Sequence, residues 1–90
     1  MKEKRYRASA QVWAADLGEG ETALFDSRTQ RYLTVNETGR AVWEALREPA
    51  TVADAAAALV AEFEVDQAGA EAAVREFIPQ LLAEDLVTEA

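Results

Sequence analysis

The stretch RYLTVNETG, residues Arg31 to Gly39, changes its structural period within three residues. From Arg31 to Val35 the side chains alternate, with Leu33 and Val35 on one side of an extended chain and Tyr32 and Thr34 on the other. Asn36 ends the alternation. Its short side chain can accept a backbone N–H from a following helical turn, so the spacing predicts an N-cap and a helix from Glu37 onward. Gly39, in that first turn, permits close packing at the corner. Strand and helix meet at one residue, and this junction sets a mixed α+β architecture.

Upstream of the junction the sequence reads as two further strands. In Val12-Trp13-Ala14-Ala15-Asp16-Leu17, the side chains Trp13, Ala15 and Leu17 share a face. Leu17-Gly18-Glu19-Gly20-Glu21 is a turn whose glycines are free to take positive φ. Thr22 to Phe25 form the second strand, and Asp26-Ser27-Arg28-Thr29-Gln30 is a polar connection of hairpin length. Residues 1–10, with Lys2, Lys4, Arg5 and Arg7, read as a basic flexible tail, leaving 11–90 as one folded domain.

Downstream, Val42, Trp43 and Leu46 give the first helix an apolar side, and Pro49 disfavours helix at Glu48. Thr51-Val52-Ala53-Asp54 has the form of a capping box with Asp in the usual Glu position. Val52, Ala56, Leu59, Val60 and Phe63 follow as a helical stripe. Asp66 caps a third helix running to about Asp85, with Ala70, Val74, Phe77, Ile78, Leu81 and Leu82 as a wide stripe. Pro79 removes one intrahelical donor and predicts a kink. Leu86-Val87-Thr88 reads as a short strand or a packed tail. Helices two and three, joined by Glu64-Val65-Asp66, have helix-turn-helix proportions. With the strands beside them, the expected fold is winged helix-turn-helix-like: a three-stranded antiparallel sheet followed by three helices.

A chain of 90 residues buries only roughly 60–65% of the surface exposed when unfolded. Much of the apolar content is alanine, so Trp13, Phe25, Tyr32, Trp43, Phe63 and Phe77 are expected to supply much of the burial. The absence of cysteine and histidine removes disulfides, thiolate nucleophiles, imidazole bases and most transition-metal sites. Glu62, Glu64, Glu71 and Glu76 lie in polar runs that form solvated faces, not the buried pairs that separate carboxylate pKa values. Gly18-Glu19-Gly20 lacks the spacing and lysine of a phosphate loop. Asp16, Glu19 and Glu21 lack the ligand series of a calcium loop. The expectation is a non-catalytic domain with no cofactor and no metal.

No apolar run approaches the roughly 20 residues that span a bilayer, and the basic start has no apolar segment behind it, so a cytoplasmic protein without a membrane partner is expected. Net charge is −8. From Glu48 to Ala90 ten acids face Arg75 alone, a bias opposite to that of a nucleic-acid surface. A winged-helix transcriptional regulator is the alternative, and it would have to use Lys2 to Arg7 as its basic element.

In a three-strand meander the third strand has a neighbour on one side only, leaving a row of amides and carbonyls open. Edges are commonly guarded by proline, lysine or inward charge, and Tyr32 to Val35 contain none. Such an edge beside a wide apolar helix can accept an extended peptide as an added strand.

Leu24-Phe25-Asp26, the run Arg31 to Gly39 leading into Val42-Trp43, Thr51-Val52, Phe63-Glu64-Val65-Asp66, and Val74, Phe77, Leu81, Leu86 and Val87 together resemble the PqqD family. Its members are also called recognition elements of ribosomally made, modified peptides. The resemblance covers about residues 12–88 of this sequence. It implies a three-stranded sheet and three helices that bind the leader segment of a precursor peptide against the third strand, beside the third helix. It further implies presentation of that peptide to a maturation enzyme, a radical S-adenosylmethionine enzyme or, in lasso-peptide pathways, a leader peptidase. The domain is expected to act as a monomer without nucleic acid. The contacts carried over are the backbone of Tyr32, Leu33, Thr34 and Val35, with Val74, Phe77, Ile78 and Leu81 as groove or supporting residues. Three positions depart from the family pattern: Gln30 and Asp85 stand where glycine is common, and Pro79 falls within the groove helix.

Overall fold

The computed structural model describes residues 3–90. Its elements are β1 (Tyr6–Ala8), β2 (Val12–Gly18), β3 (Glu21–Asp26), β4 (Arg31–Val35), α1 (Glu37–Ala45), α2 (Val52–Glu62), α3 (Gln67–Ala83) and β5 (Val87–Glu89). β2, β3 and β4 form an antiparallel meander, and β1 pairs with β5 in a separate two-stranded ribbon. The three-stranded sheet followed by three helices is the α+β arrangement expected from the sequence.

The expected tail is a correction. Met1 and Lys2 lie outside the described residues, but Tyr6 to Ala8 pair with Val87 to Glu89. The Tyr6 N–H donates to Ala50 O at 2.8 Å and the Ala8 N–H to Leu46 O at 2.6 Å. Basic composition masked a strand whose partners lie some eighty residues away in sequence. The choice left open for Leu86 to Thr88 resolves as a strand, since Val87 and Thr88 belong to β5.

Two tight corners build the meander. Glu19 and Gly20 form a two-residue loop between the paired Gly18 and Glu21, and both have positive φ, 55° and 78°. This is the backbone of a type I′ hairpin turn, whose twist matches the flanking strands. Gln30, at the second corner, has φ 63°, so it holds the left-handed conformation for which glycine is best suited.

Register assigns the faces. Val12, Thr22, Leu24, Asp26, Leu33 and Val35 point inward against the helices, whereas Trp13, Phe25 and Tyr32 stand directly opposite one another on the outer face. Trp13 and Tyr32 are each 68% exposed, contrary to the expectation that they add to the core. Trp13 and Ala15 do share a face, but it is the outer one, and the register shifts between Asp16 and Gly18, leaving Leu17 unpaired and exposed.

All three caps form as read. Asn36 Oδ1 accepts the Gly39 N–H at 2.9 Å, and Asp66 Oδ1 accepts the Gly69 N–H at 2.7 Å. Thr51 and Asp54 exchange two bonds of 3.1 Å, completing the capping box. Leu24, Val42, Leu46, Leu59, Val74, Leu81 and Val87 make the fully buried centre. Val60 leaves the anticipated α2 stripe at 40% exposure, and Ala55 is buried instead. Small side chains here let α2 pack closely on its neighbours. α3 continues as one helix through Pro79.

Asp85 closes α3. With φ 57° it lets its own N–H donate to Leu82 O at 3.1 Å and the Leu86 N–H donate to Leu81 O at 2.9 Å. These are the two bonds of a Schellman motif, completed by the buried Leu81 and Leu86 side chains. The geometry expected of glycine survives with aspartate, a residue that tolerates left-handed φ better than most.

Of the four glycines, Gly39 is the most tightly enclosed. A Cβ there would lie 2.7 Å from Phe77 Cζ and 2.8 Å from Val35 Cβ. Gly39→Ala gains at most about 1 kcal/mol of helix propensity but overpacks a buried corner, which costs about 1–3 kcal/mol. Urea unfolding is expected to show a lower midpoint at unchanged slope; an unchanged midpoint would mean that Phe77 yields freely.

Candidate functional site

Among the described residues β4 bonds to β3 alone, so its other edge is open. The C-terminal half of α3 runs alongside it in the opposite direction. At one end Gly39 sits between Val35, which closes β4, and the ring of Phe77. At the other end Arg31, Tyr32 and Leu33 face Ala83, Glu84, Asp85 and Leu86 across a cleft of about 100 Å³, with Asp26 and Thr29 at its side. The open strand and the helix therefore bound a groove that is open at this charged mouth and closed at its other end by the packed corner of Gly39, Val35 and Phe77.

The charged end is held by a clamp. Asp26 is buried on the inner face, and Arg28 grips its carboxylate in two bonds, Nε to Oδ1 at 3.0 Å and Nη2 to Oδ2 at 2.9 Å. The Arg28 N–H also donates to Asp26 Oδ1 at 2.9 Å, folding the turn back on itself. Arg28 Nη2 then donates to Asp85 O at 2.8 Å, tying the β3–β4 turn to the end of α3. The Arg28 side-chain bonds lead in holding the Asp26 carboxyl below its ordinary pKa, against the opposing effect of burial. Charge-assisted, bidentate geometry of this kind fixes orientation as well as distance.

The residues expected to meet a ligand divide into three groups. Tyr32 and Thr34 project outward and are exposed, Leu33 is half-buried on the inner side, and Val35 is buried. Val74, Ile78 and Leu81 are core residues, so their side chains set the position of α3 and do not line the groove. Phe77, one turn along, is half-buried. A helical stripe gives the direction of the core; it does not separate side chains beneath a groove from those on its rim. Sequence reasoning missed Arg31, Glu84, Asp85 and Leu86 at the groove end. It also missed the aromatic row Trp13, Phe25 and Tyr32, for which the period-two pattern was present but its side was not.

Among the described residues no group of three or more His, Cys, Asp or Glu is placed to hold a metal ion, and no helix is long and apolar enough to cross a membrane. Arg75, the basic residue of α3, is paired with Glu71 at 3.1 Å, which weakens any reading of α3 as a DNA-recognition helix.

The profile of the family described as coenzyme PQQ synthesis protein D (PqqD) matches residues 21–87. The chain belongs to the PqqD family. This PqqD-family domain shares its fold with the structure described as TbiB1 in complex with the TbiA(beta) leader peptide. The two are 26% identical with a TM-score of 0.72, over 90% of this chain and 93% of that one. It also matches lasso peptide synthetase B1 complexed with the leader peptide, at 23% identity and a TM-score of 0.71, over 92% and 96% of the two chains. Curated sequences yield no significant match.

The clamp makes this PqqD-family domain acid-sensitive in a defined direction. Because the folded pKa of Asp26 is lowered, its contribution is complete above the unfolded carboxylate pKa and is lost as pH falls below about 4. In Asp26→Asn the Tm is expected to drop at pH 7, and the gap from the parent protein to narrow as pH falls below about 4. A gap independent of pH would mean that the carboxylate charge contributes nothing.

Proposed function

We propose that this domain captures the leader segment of a ribosomally made precursor peptide as an added strand on β4 and presents it, in the cytoplasm, to a maturation enzyme. The observation that carries this reading is the open edge of β4 beside the α3 groove, in a fold shared with a protein whose structure holds a leader peptide. Four or five main-chain hydrogen bonds at about 1 kcal/mol each correspond to only about millimolar affinity. Useful binding therefore depends on side chains of the peptide entering the groove. Leu33 and Phe77 offer apolar contact there, Arg31, Glu84 and Asp85 offer charge at the mouth, and Val74, Ile78 and Leu81 support the helix from below.

The domain itself performs no chemistry in this reading and works as a monomer. Its enzyme partner is a radical S-adenosylmethionine enzyme or a leader peptidase. The outer sheet face supports a handover to that partner. Trp13, half-buried Phe25 and Tyr32 form one outward-facing aromatic row that ends on β4, so an enzyme seated on it would lie next to the added strand. Aromatic clusters of this type supply much of the energy of protein interfaces.

Strand addition is tested by Leu33→Pro and Thr34→Pro. Adjacent residues of an edge strand point their N–H groups to opposite sides, one toward β3 and one toward the open edge. With the leader of the precursor encoded beside this gene, calorimetry is expected to give micromolar or tighter binding. One proline variant should keep the parental unfolding profile yet bind at least tenfold more weakly; parental affinity in a folded open-edge variant would sink strand addition. Trp13→Ser separates the two surfaces. Leader affinity should be unchanged while the rate of peptide maturation in the presence of the partner enzyme falls several-fold, and an unaltered rate would remove the outer face from the handover.

A further inference from the structure

A second cleft, of about 680 Å³, opens where β1, the end of α1, the β3–β4 turn and β5 meet. Three arginines line it, Arg7 from β1, Arg28 from the turn and Arg47 beyond α1, and no carboxylate does. That is unexpected in a chain with nine Lys and Arg against seventeen Asp and Glu. Four other clefts of the domain each include at least one carboxylate. Arg28 has Asp26, but among the described residues Arg7 and Arg47 form no ion pair.

The same cleft is lined by Trp43, whose ring is covered by the Arg47 guanidinium 5.6 Å from its centroid. The Trp43 indole N–H is buried and has no acceptor. Buried donors are nearly always paired, so one that is not marks a place where an acceptor is missing. Two guanidinium groups without an ion pair line this cleft beside Trp43, and no carboxylate lines it. The group that satisfies both is an oxyanion, which guanidinium binds in bidentate geometry.

We propose that this cleft binds the oxyanion of a ligand, a carboxylate or phosphate group held by Arg7 and Arg47 beside Trp43. The site is separate from the β4 edge and does not rest on leader binding. Arg28 forms the wall between them, lining this cleft while its partners Asp26 and Asp85 line the end of the groove.

The two indole N–H signals of the full chain, assigned with Trp13→Phe, report on the site by nuclear magnetic resonance. Inorganic phosphate and a short acidic peptide, acetyl-Glu-Glu-amide, serve as probes at constant ionic strength. At least one should shift the Trp43 signal saturably and leave Trp13 in place, and the tighter probe identifies the source of the oxyanion. Arg7→Ala, an exposed change, and Arg47→Ala should each weaken binding at least fivefold, with Arg47→Lys intermediate and thermal unfolding confirming the fold. The proposal is overturned by no shift with either probe, by equal and linear shifts at both tryptophans, or by undiminished binding in the folded Arg7→Ala variant.

Discussion

Arg28 is the side chain on which the geometry of the groove depends. A hairpin turn and a helix terminus are both places where the chain leaves regular hydrogen bonding, and here one guanidinium joins them through Asp26 and the Asp85 carbonyl. The distance between the start of β4 and the end of α3 is thereby set by a rigid, planar group. At the opposite end the spacing is set by steric contact, with Gly39 admitting Val35 and Phe77 to the same corner. A groove fixed at both ends can keep an open strand edge beside a helix without closing onto it.

That openness conflicts with ordinary stability. An unguarded strand edge and an outward-facing aromatic row with two exposed members are each a liability for self-association, and a domain this small has little apolar area in reserve. The chain nevertheless spends Trp13, Phe25 and Tyr32 on an outer face where they add little to the core. It compensates with small residues. Ala41, Ala50, Ala55, Ala56 and Ala70 are all buried, so the helices approach closely and a modest set of Leu and Val side chains closes the interior. Charge is the other safeguard, since a net −8 opposes pairing between copies through mutual repulsion.

Local signals were legible in the sequence because their causes are local. Asn36, Thr51 and Asp66 were readable as caps because each bonds an N–H three residues on, and Pro49 was readable as a stop for the same reason. The hairpins followed from alternation and turn residues. What could not be read depends on partners distant in sequence. Tyr6 to Ala8 become a strand only because Val87 to Glu89 lie beside them, and no pattern within ten residues contains that fact. Likewise the alternation in β2 groups Trp13 with Leu17 but does not say which face meets the helices. At the candidate site, the strand and the helix of the groove were legible, whereas its charged mouth was not, since Arg31 lies over fifty residues from Glu84 and Asp85 and meets them only in the folded chain.

Gln30 and Asp85 show how the departures from the family pattern fit this arrangement. Both hold positive φ, at a cost of about 1 kcal/mol each relative to glycine, and they flank the two elements that Arg28 joins. At Asp85 the left-handed turn directs the backbone carbonyl to Arg28, and the residue lines the groove mouth together with Arg31 and Glu84. Glycine would give the same turn with less strain and without that charge. The chain thus keeps strain where it places an acidic residue, and the mouth of the groove combines Arg31 with Glu84 and Asp85 in a charged end distinct from the packed, apolar corner at Phe77.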